Sequence, residues 1–129
     1  MKILIVDGYN AINRIPYLAD IADNSLEDAR RAVFELANEY KRKDGGISEV
    51  YVVFDGKNEY RDMYFARPKG HVFSKSGQGD QKIVDMVRKF SEGNVVIVAS
   101  DDNFVRNNSR AHYASLISVS ELEGKRRHR

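Results

Sequence analysis

The chain has 129 residues, 42% hydrophobic and 31% charged, a size that buries one core and a composition ordinary for a soluble globular domain. The lack of cysteine excludes disulfides, a thiolate metal site and a cysteine nucleophile, and fits a reducing, cytoplasmic setting. The net charge of +2 conceals an asymmetry: Lys125, Arg126, Arg127 and Arg129 crowd the last five residues and leave about −2 on the rest, an acidic or neutral body with a basic tail rather than a basic protein.

The first element expected is a buried strand, Ile3-Leu4-Ile5-Val6, ending on Asp7-Gly8-Tyr9-Asn10. Four consecutive aliphatic residues read as a central, parallel strand. In open α/β sheets ligands lie just outside the carboxyl ends of such strands, which is where Asp7 and Asn10 would sit. Asp-Gly is also a common turn, so this stretch alone decides nothing. A strand starting at residue 2 is expected to leave no room for a signal peptide, and no apolar run reaches membrane-spanning length.

An opening loop through Pro16 and the polar Asp20 to Asn24 is expected next, then a helix from Ser25. Ser25 followed by Glu27 and Asp28 is a capping arrangement, with acids against the positive helix end. Leu26, Ala29, Val33, Leu36 and Tyr40 form its buried stripe; Lys41 to Lys43 and Gly45-Gly46 close it. A second strand, Val50 to Phe54, again ends on Asp-Gly, at Asp55-Gly56. The loop over 57–70 interleaves Lys57, Tyr60, Arg61, Tyr64, Phe65, Arg67 and Lys69, a composition suited to gripping phosphates and stacking on bases, or equally to covering the sheet edge.

A short strand around His71-Val72-Phe73 leads into Ser74-Lys75-Ser76-Gly77-Gln78-Gly79-Asp80, which opens a helix striped by Ile83, Val84, Val87 and Phe90. The glycine spacing falls short of a nucleotide-triphosphate loop, and Asp80 at the helix start could serve as a cap alone. His71 reads as a strand surface residue, and none of the three histidines has metal-binding spacing. A fourth strand, Val95 to Ala99, is followed by Ser100-Asp101-Asp102-Asn103. A polar helix with Phe104, Val105 and Ala111 inward, a strand at Leu116-Ile117 and a helical turn over Ser118 to Leu122 complete the chain.

This alternation favours right-handed parallel crossovers and a single three-layer α/β/α domain with a mostly parallel central sheet. Asp7, Asp55 and Asp101 would then share one sheet edge, joined there by Asp80. Gathered carboxylates raise one another's pKa, and a hard divalent cation relieves the conflict. An all-oxygen donor set selects Mg2+ or Mn2+ over zinc and suits phosphodiester chemistry. Asn10 cannot act as a base, but its amide can orient water or a carboxylate.

Asp7-Gly8-Tyr9-Asn10, Val53-Phe54-Asp55-Gly56, Asp80, Ala99-Ser100-Asp101-Asp102 and the closing Ile117-Ser118-Val119-Ser120-Glu121-Leu122 together resemble the NYN family of PIN-like nucleases, which includes bacterial YacP-like endoribonucleases. The resemblance implies a PIN-like (Rossmann-like) domain over residues 1–122 and a Mg- or Mn-dependent endoribonuclease. Its site would use Asp7, Asn10, Asp80 and Asp101, with Asp55 a further acid and Asp102 substituting for or assisting Asp101. Lys57, Arg61, Arg67, Lys69, Lys75, Arg126 and Arg127 are the expected RNA contacts. The expected partner is single-stranded or loop RNA, with ribosome-associated messenger RNA among the candidates. Residues 123–129 are expected to form a disordered basic tail able to hold a polyanion. YacP-like proteins usually extend further at the C-terminus and are richer in acids or threonine before the position of Asp80.

Two other classes compete. Aspartyl-phosphate proteins also present strand-end acids, but the phosphatases among them need a second aspartate where this chain has Tyr9, and receivers usually pair acids after the first strand. The other is a catalytically weak RNA-binding or partner-binding domain on the same fold.

Overall fold

The computed structural model describes residues 1–56, 70–74 and 77–127, with 125–127 described by backbone alone. The elements in chain order are β1 (Lys2–Asp7), α1 (Gly8–Arg14), α2 (Pro16–Asn24), α3 (Leu26–Asp44), β2 (Glu49–Phe54), β3 (His71–Phe73), α4 (Gly79–Phe90), β4 (Val95–Ala99), α5 (Asn103–Ala111) and β5 (Ser115–Ile117). A 3-10 segment, Val119–Arg127, follows, with a break in its backbone at Gly124.

All pairings in the five-stranded sheet are parallel, in the order β3-β2-β1-β4-β5. From β1 the chain moves outward through β2 and β3, then returns to the other side of β1 to build β4 and β5. That reversal opens a crevice beyond the carboxyl ends of β1 and β4. Val6, level with Val52 on one side and Ala99 on the other, sets the register that brings those ends together.

The alternation of side chains along β1 divides the core into two layers. Leu4 and Val6 pack with Ile12, Leu18, Val33 and Leu36 of α1 to α3, together with Val119 and Leu122. Ile3 and Ile5 pack with Ile83, Met86 and Val87 of α4 and Val105 of α5. Ile3, Leu4, Ile5 and Val6 are all buried, and each such side chain contributes about 1.5–3 kcal/mol of transfer free energy. The expected three-layer α/β/α domain is the one observed.

The stretch expected as an opening loop is instead two helices. Pro16 occupies the first turn of α2, where its missing N–H costs nothing, so it starts a helix rather than interrupting one. Ala11, Ile12, Ile15 and Leu18 are buried along this segment and anchor it on the sheet. Ser25 caps α3 as expected, its Oγ accepting from Asp28 N at 3.1 Å, and Gly45 ends the helix in the left-handed conformation.

Two smaller expectations also change. The buried residues of α5 are Val105 and Ser109, whereas Phe104 and Ala111 are exposed, because the i, i+4 pair faces the sheet and the residues flanking it turn away. His71 is buried rather than on the surface, stacked between Phe34 and Phe54 with ring centroids at 4.7 and 5.5 Å. Among the described residues no helix is long and apolar enough to cross a membrane.

Candidate active site

Asp7 is the last residue of β1, and α1 begins at the next residue, so the carboxyl is presented where a buried strand becomes a helix. Gly8 makes that junction possible. A β-carbon there would lie 2.6 Å from Phe54 Cδ1 and 2.9 Å from the Val53 carbonyl oxygen, closer than real β-carbons come. Beneath the junction the Tyr9 ring packs on Phe54 at 5.0 Å, and Tyr9 OH accepts from the buried Arg30 Nε at 2.9 Å. Tyr9 thus braces the strand end.

Three side chains hold the end of β4, to β1, to α1 and to β5 in turn. Ser100 Oγ donates to Asp7 Oδ2 at 2.8 Å and accepts from Asp102 N at 3.1 Å, so one buried hydroxyl spans the crevice. Asn10 Oδ1 accepts the backbone N–H of Asp101 at 2.9 Å. Arg106, from α5, donates to the Ser100 carbonyl at 2.7 Å and the Ile117 carbonyl at 3.3 Å, fixing the ends of β4 and β5.

The adjacent acids Asp101 and Asp102 diverge. Asp102 is the N-cap of α5, its Oδ1 accepting from Val105 N at 3.0 Å. Asp101 turns toward the other wall, where Oδ1 accepts from Val119 N at 3.2 Å and Oδ2 lies 3.7 Å from Arg14 Nη1.

Asp80 enters from α4. The N-cap of that helix is Gln78, which makes no side-chain capping bond, so Asp80 lies within the first turn and is not the cap. Asp55, after β2, accepts from Gly77 N at 2.7 Å. Gly79 sits against it, and a β-carbon at Gly79 would come within 2.9 Å of Asp55 Cβ. Gly77, before α4, and Gly79, its first residue, therefore seat the turn on Asp55, which is a simpler use than cradling phosphate.

Electrostatics groups these acids. Asp7 is raised from 3.8 to about 6; burial is the largest cause, the negative fields of Asp80 and Asp102 add to it, and the Ser100 hydroxyl and Asn10 backbone N–H oppose it. Asp80 is also raised, first by burial and then by Asp102 and Asp55. Asp80 and Asp102 thus act on Asp7 and Asp102 acts on Asp80 across the crevice, while Asp55 acts on Asp80. They are not a preformed cage: among the described residues no group of three or more His, Cys, Asp or Glu side chains is arranged to hold a metal ion.

The family model for the YacP-like NYN domain matches residues 4–128. The chain belongs to the YacP-like NYN family. YacP, an uncharacterized protein of Bacillus subtilis (strain 168), is 46% identical over 55 residues, covering 43% of this chain and 31% of that protein, so the match spans less than a third of that protein's length. The crystal structure of a point mutant of Rae1 (YacP) from Bacillus subtilis superposes with a TM-score of 0.72 at 30% identity, over 95% of this chain and 72% of that one. A second Rae1 (YacP) crystal structure from the same organism gives 0.68 at 25% identity, over 99% and 77%.

On this NYN domain the expected site residues fall into three sets. Asp7, Asp55, Asp80 and Asp102 share one electrostatic neighbourhood, whereas Asp101 and Asn10 stand beside it, linked to each other and to the wall formed by Arg14 and Val119. Lys57, Arg61, Arg67, Lys69 and Lys75 lie outside the described residues, as do the side chains of Arg126 and Arg127. Sequence reasoning gave no role to Ser100, Arg14 or Arg106. Ser100 was within reach, since a small hydroxyl between a buried strand and two acids is placed to bond one of them; the reach of Arg14 to Asp101 depends on α1, which was expected as loop.

Proposed function

We propose that this NYN domain is a metal-dependent endoribonuclease that hydrolyses phosphodiester bonds of single-stranded or loop RNA, ribosome-associated messenger RNA included, in the cytoplasm. Family membership supports the nuclease-type, RNA-related character. The observation that carries the reading is the convergence of Asp7, Asp80 and Asp102 at the crevice between β1 and β4, close enough that Asp80 and Asp102 help push Asp7 up to about 6.

The donor chemistry fits a hard cation. All the acids are oxygen donors, and magnesium keeps several waters while taking one or two carboxylates and substrate phosphates, so a three-carboxylate cage is not required. Asp7 and Asp80 would hold Mg2+ or Mn2+, with Asp55 and Asp102 acting through water. When bound, such an ion lowers the pKa of water and offsets charge on the phosphate.

The protein residues supply the remaining work. Asp102, one oxygen engaged with Val105 N, has the other to accept a proton from the attacking water. The water oxygen bonds to phosphorus, the bond to the leaving ribose oxygen breaks, and that oxygen takes a proton from solvent. Ser100 fixes the orientation of Asp7, and Asn10 holds the Asp101 backbone so that the loop after β4 does not drift.

One observation favours a second reading, a catalytically weak RNA-binding domain: the lack of a three-ligand group among the described residues. Incubation of labelled single-stranded RNA with the protein and Mn2+ or Mg2+, with and without EDTA, separates the two. Chelator-sensitive cleavage supports the nuclease, and binding without cleavage supports the alternative.

A further inference from the structure

Beside the acid site lies a cavity of about 540 Å³ lined by Arg14, Ile15, Pro16, Tyr17, Ser120 and Glu123. It lies between the junction of α1 and α2 and the start of the 3-10 segment, and Asp101 links it to the edge of the site: Arg14 is 3.7 Å from Asp101, and the Val119 N–H, one residue before Ser120, bonds the same carboxylate. We infer that this cavity is a nucleotide subsite, receiving the nucleotide of a single RNA strand next to the phosphate presented to the acids. The inference rests on the nuclease reading and specifies where its substrate runs.

Four properties support that occupant. The volume lies within the range of pockets that bind small ligands. The Arg14 side chain is 59% exposed, and its contact with Asp101 is an ion pair longer than a hydrogen bond, so the planar guanidinium keeps donors for phosphate oxygens. Tyr17 is half-buried against the core and also lines the cavity, an aromatic residue of the kind on which a base of any identity can stack. Ile15 and Pro16 supply apolar surface, while Ser120 and Glu123 add a hydroxyl and a carboxylate that can meet base or ribose N–H and O–H groups.

The geometry also explains why Asp101 stands apart from the other acids. Its carboxylate bonds the Val119 backbone and attracts Arg14, so it holds both walls of the cavity at the edge of the site. Arg14 and Tyr17 are therefore substrate-binding residues, and Asp101 positions Arg14.

The test uses the full chain and a short fluorescein-labelled oligouridylate, with binding followed by anisotropy in EDTA and cleavage in Mn2+. Arg14→Ala and Tyr17→Leu should each weaken binding about tenfold and raise KM with little change in kcat. Wild-type protein irradiated with 5-iodouridine RNA should crosslink at Tyr17, which decides the matter if Tyr17→Leu does not fold. Folded Arg14→Ala and Tyr17→Leu proteins with unchanged Kd and KM, or crosslinks that all fall elsewhere, would overturn the subsite while wild-type cleavage left the nuclease reading intact. A wild-type protein that neither binds nor cleaves the probe would overturn both.

Discussion

The hydroxyl of Ser100 donates to Asp7 Oδ2 at 2.8 Å, joining the ends of two neighbouring strands across 93 residues of sequence. The bond favours the ionised carboxyl and works against the burial that raises it. Ser100→Ala should therefore push Asp7 higher still. The expected result is a folded protein whose acid limb of the pH–rate profile moves toward alkaline pH. A stability loss of about 1–3 kcal/mol should accompany it, because a buried polar contact is left incomplete. A pH–rate profile and a urea titration of the variant check both.

In the metal-free protein the stability consequence of Asp7 has a definite sign. Its carboxyl keeps a proton up to about pH 6 when folded but only to 3.8 at the ordinary value. Between those values the folded state binds more protons than the unfolded one, so its contribution is greatest at the acid end and falls as pH rises through the window. Asp7→Asn, uncharged at every pH, should remove that slope. At about pH 7.5 the variant should exceed wild type by about 1–2 kcal/mol, solvent screening having reduced the full effect. Urea titrations at about pH 5 and about pH 7.5 measure it.

Divalent cation should reverse the penalty of gathered charge. Mg2+ or Mn2+ at a hundredfold excess over its Kd stabilises by about 2.7 kcal/mol if it binds only the folded chain, and EDTA should remove the gain. Asp80→Asn should abolish most of that response. Calorimetry at about pH 6 should also record protons released on binding, fewer at about pH 8, since Asp7 must ionise to hold the ion.

Gly8→Ala tests the junction beneath the site. The added methyl would meet the Phe54 ring and the Val53 carbonyl, both fixed in the core, so the strand end or the ring must shift. A loss of about 1–3 kcal/mol in thermal or urea unfolding is expected. Activity should fall as well, because the displaced backbone carries Asp7.

The sheet was legible because each central strand is a run of aliphatic residues bounded by turn residues, and burial on both faces leaves such a run few alternatives. The placement of the acids followed from the same runs: Asp7, Asp55 and the Asp101-Asp102 pair sit where apolar sequence stops. What the sequence concealed was direction. Asp101 and Asp102 are adjacent, and only the backbone turn that makes Asp102 the cap of α5 sends Asp101 toward Arg14 and Val119. Asp80 could equally have been a cap, until the position of Gln78 showed that the helix begins earlier. The helices α1 and α2 were hidden by Asp-Gly and Pro16, residues that turn a chain in isolation but start helices when Ile12, Ile15 and Leu18 can be buried beneath them.

The most direct measurement is cleavage of labelled single-stranded RNA in Mn2+ or Mg2+ by the wild type, Asp7→Asn, Asp80→Asn and Asp101→Asn proteins, each shown to be folded. Internal cleavage is expected from wild type, lost in EDTA and reduced at least about a hundredfold in Asp7→Asn and Asp80→Asn, with a smaller loss, carried by KM, in Asp101→Asn. Cleavage that survives EDTA, or that Asp7→Asn and Asp80→Asn retain in full, would contradict a metal-dependent site at the ends of β1 and β4.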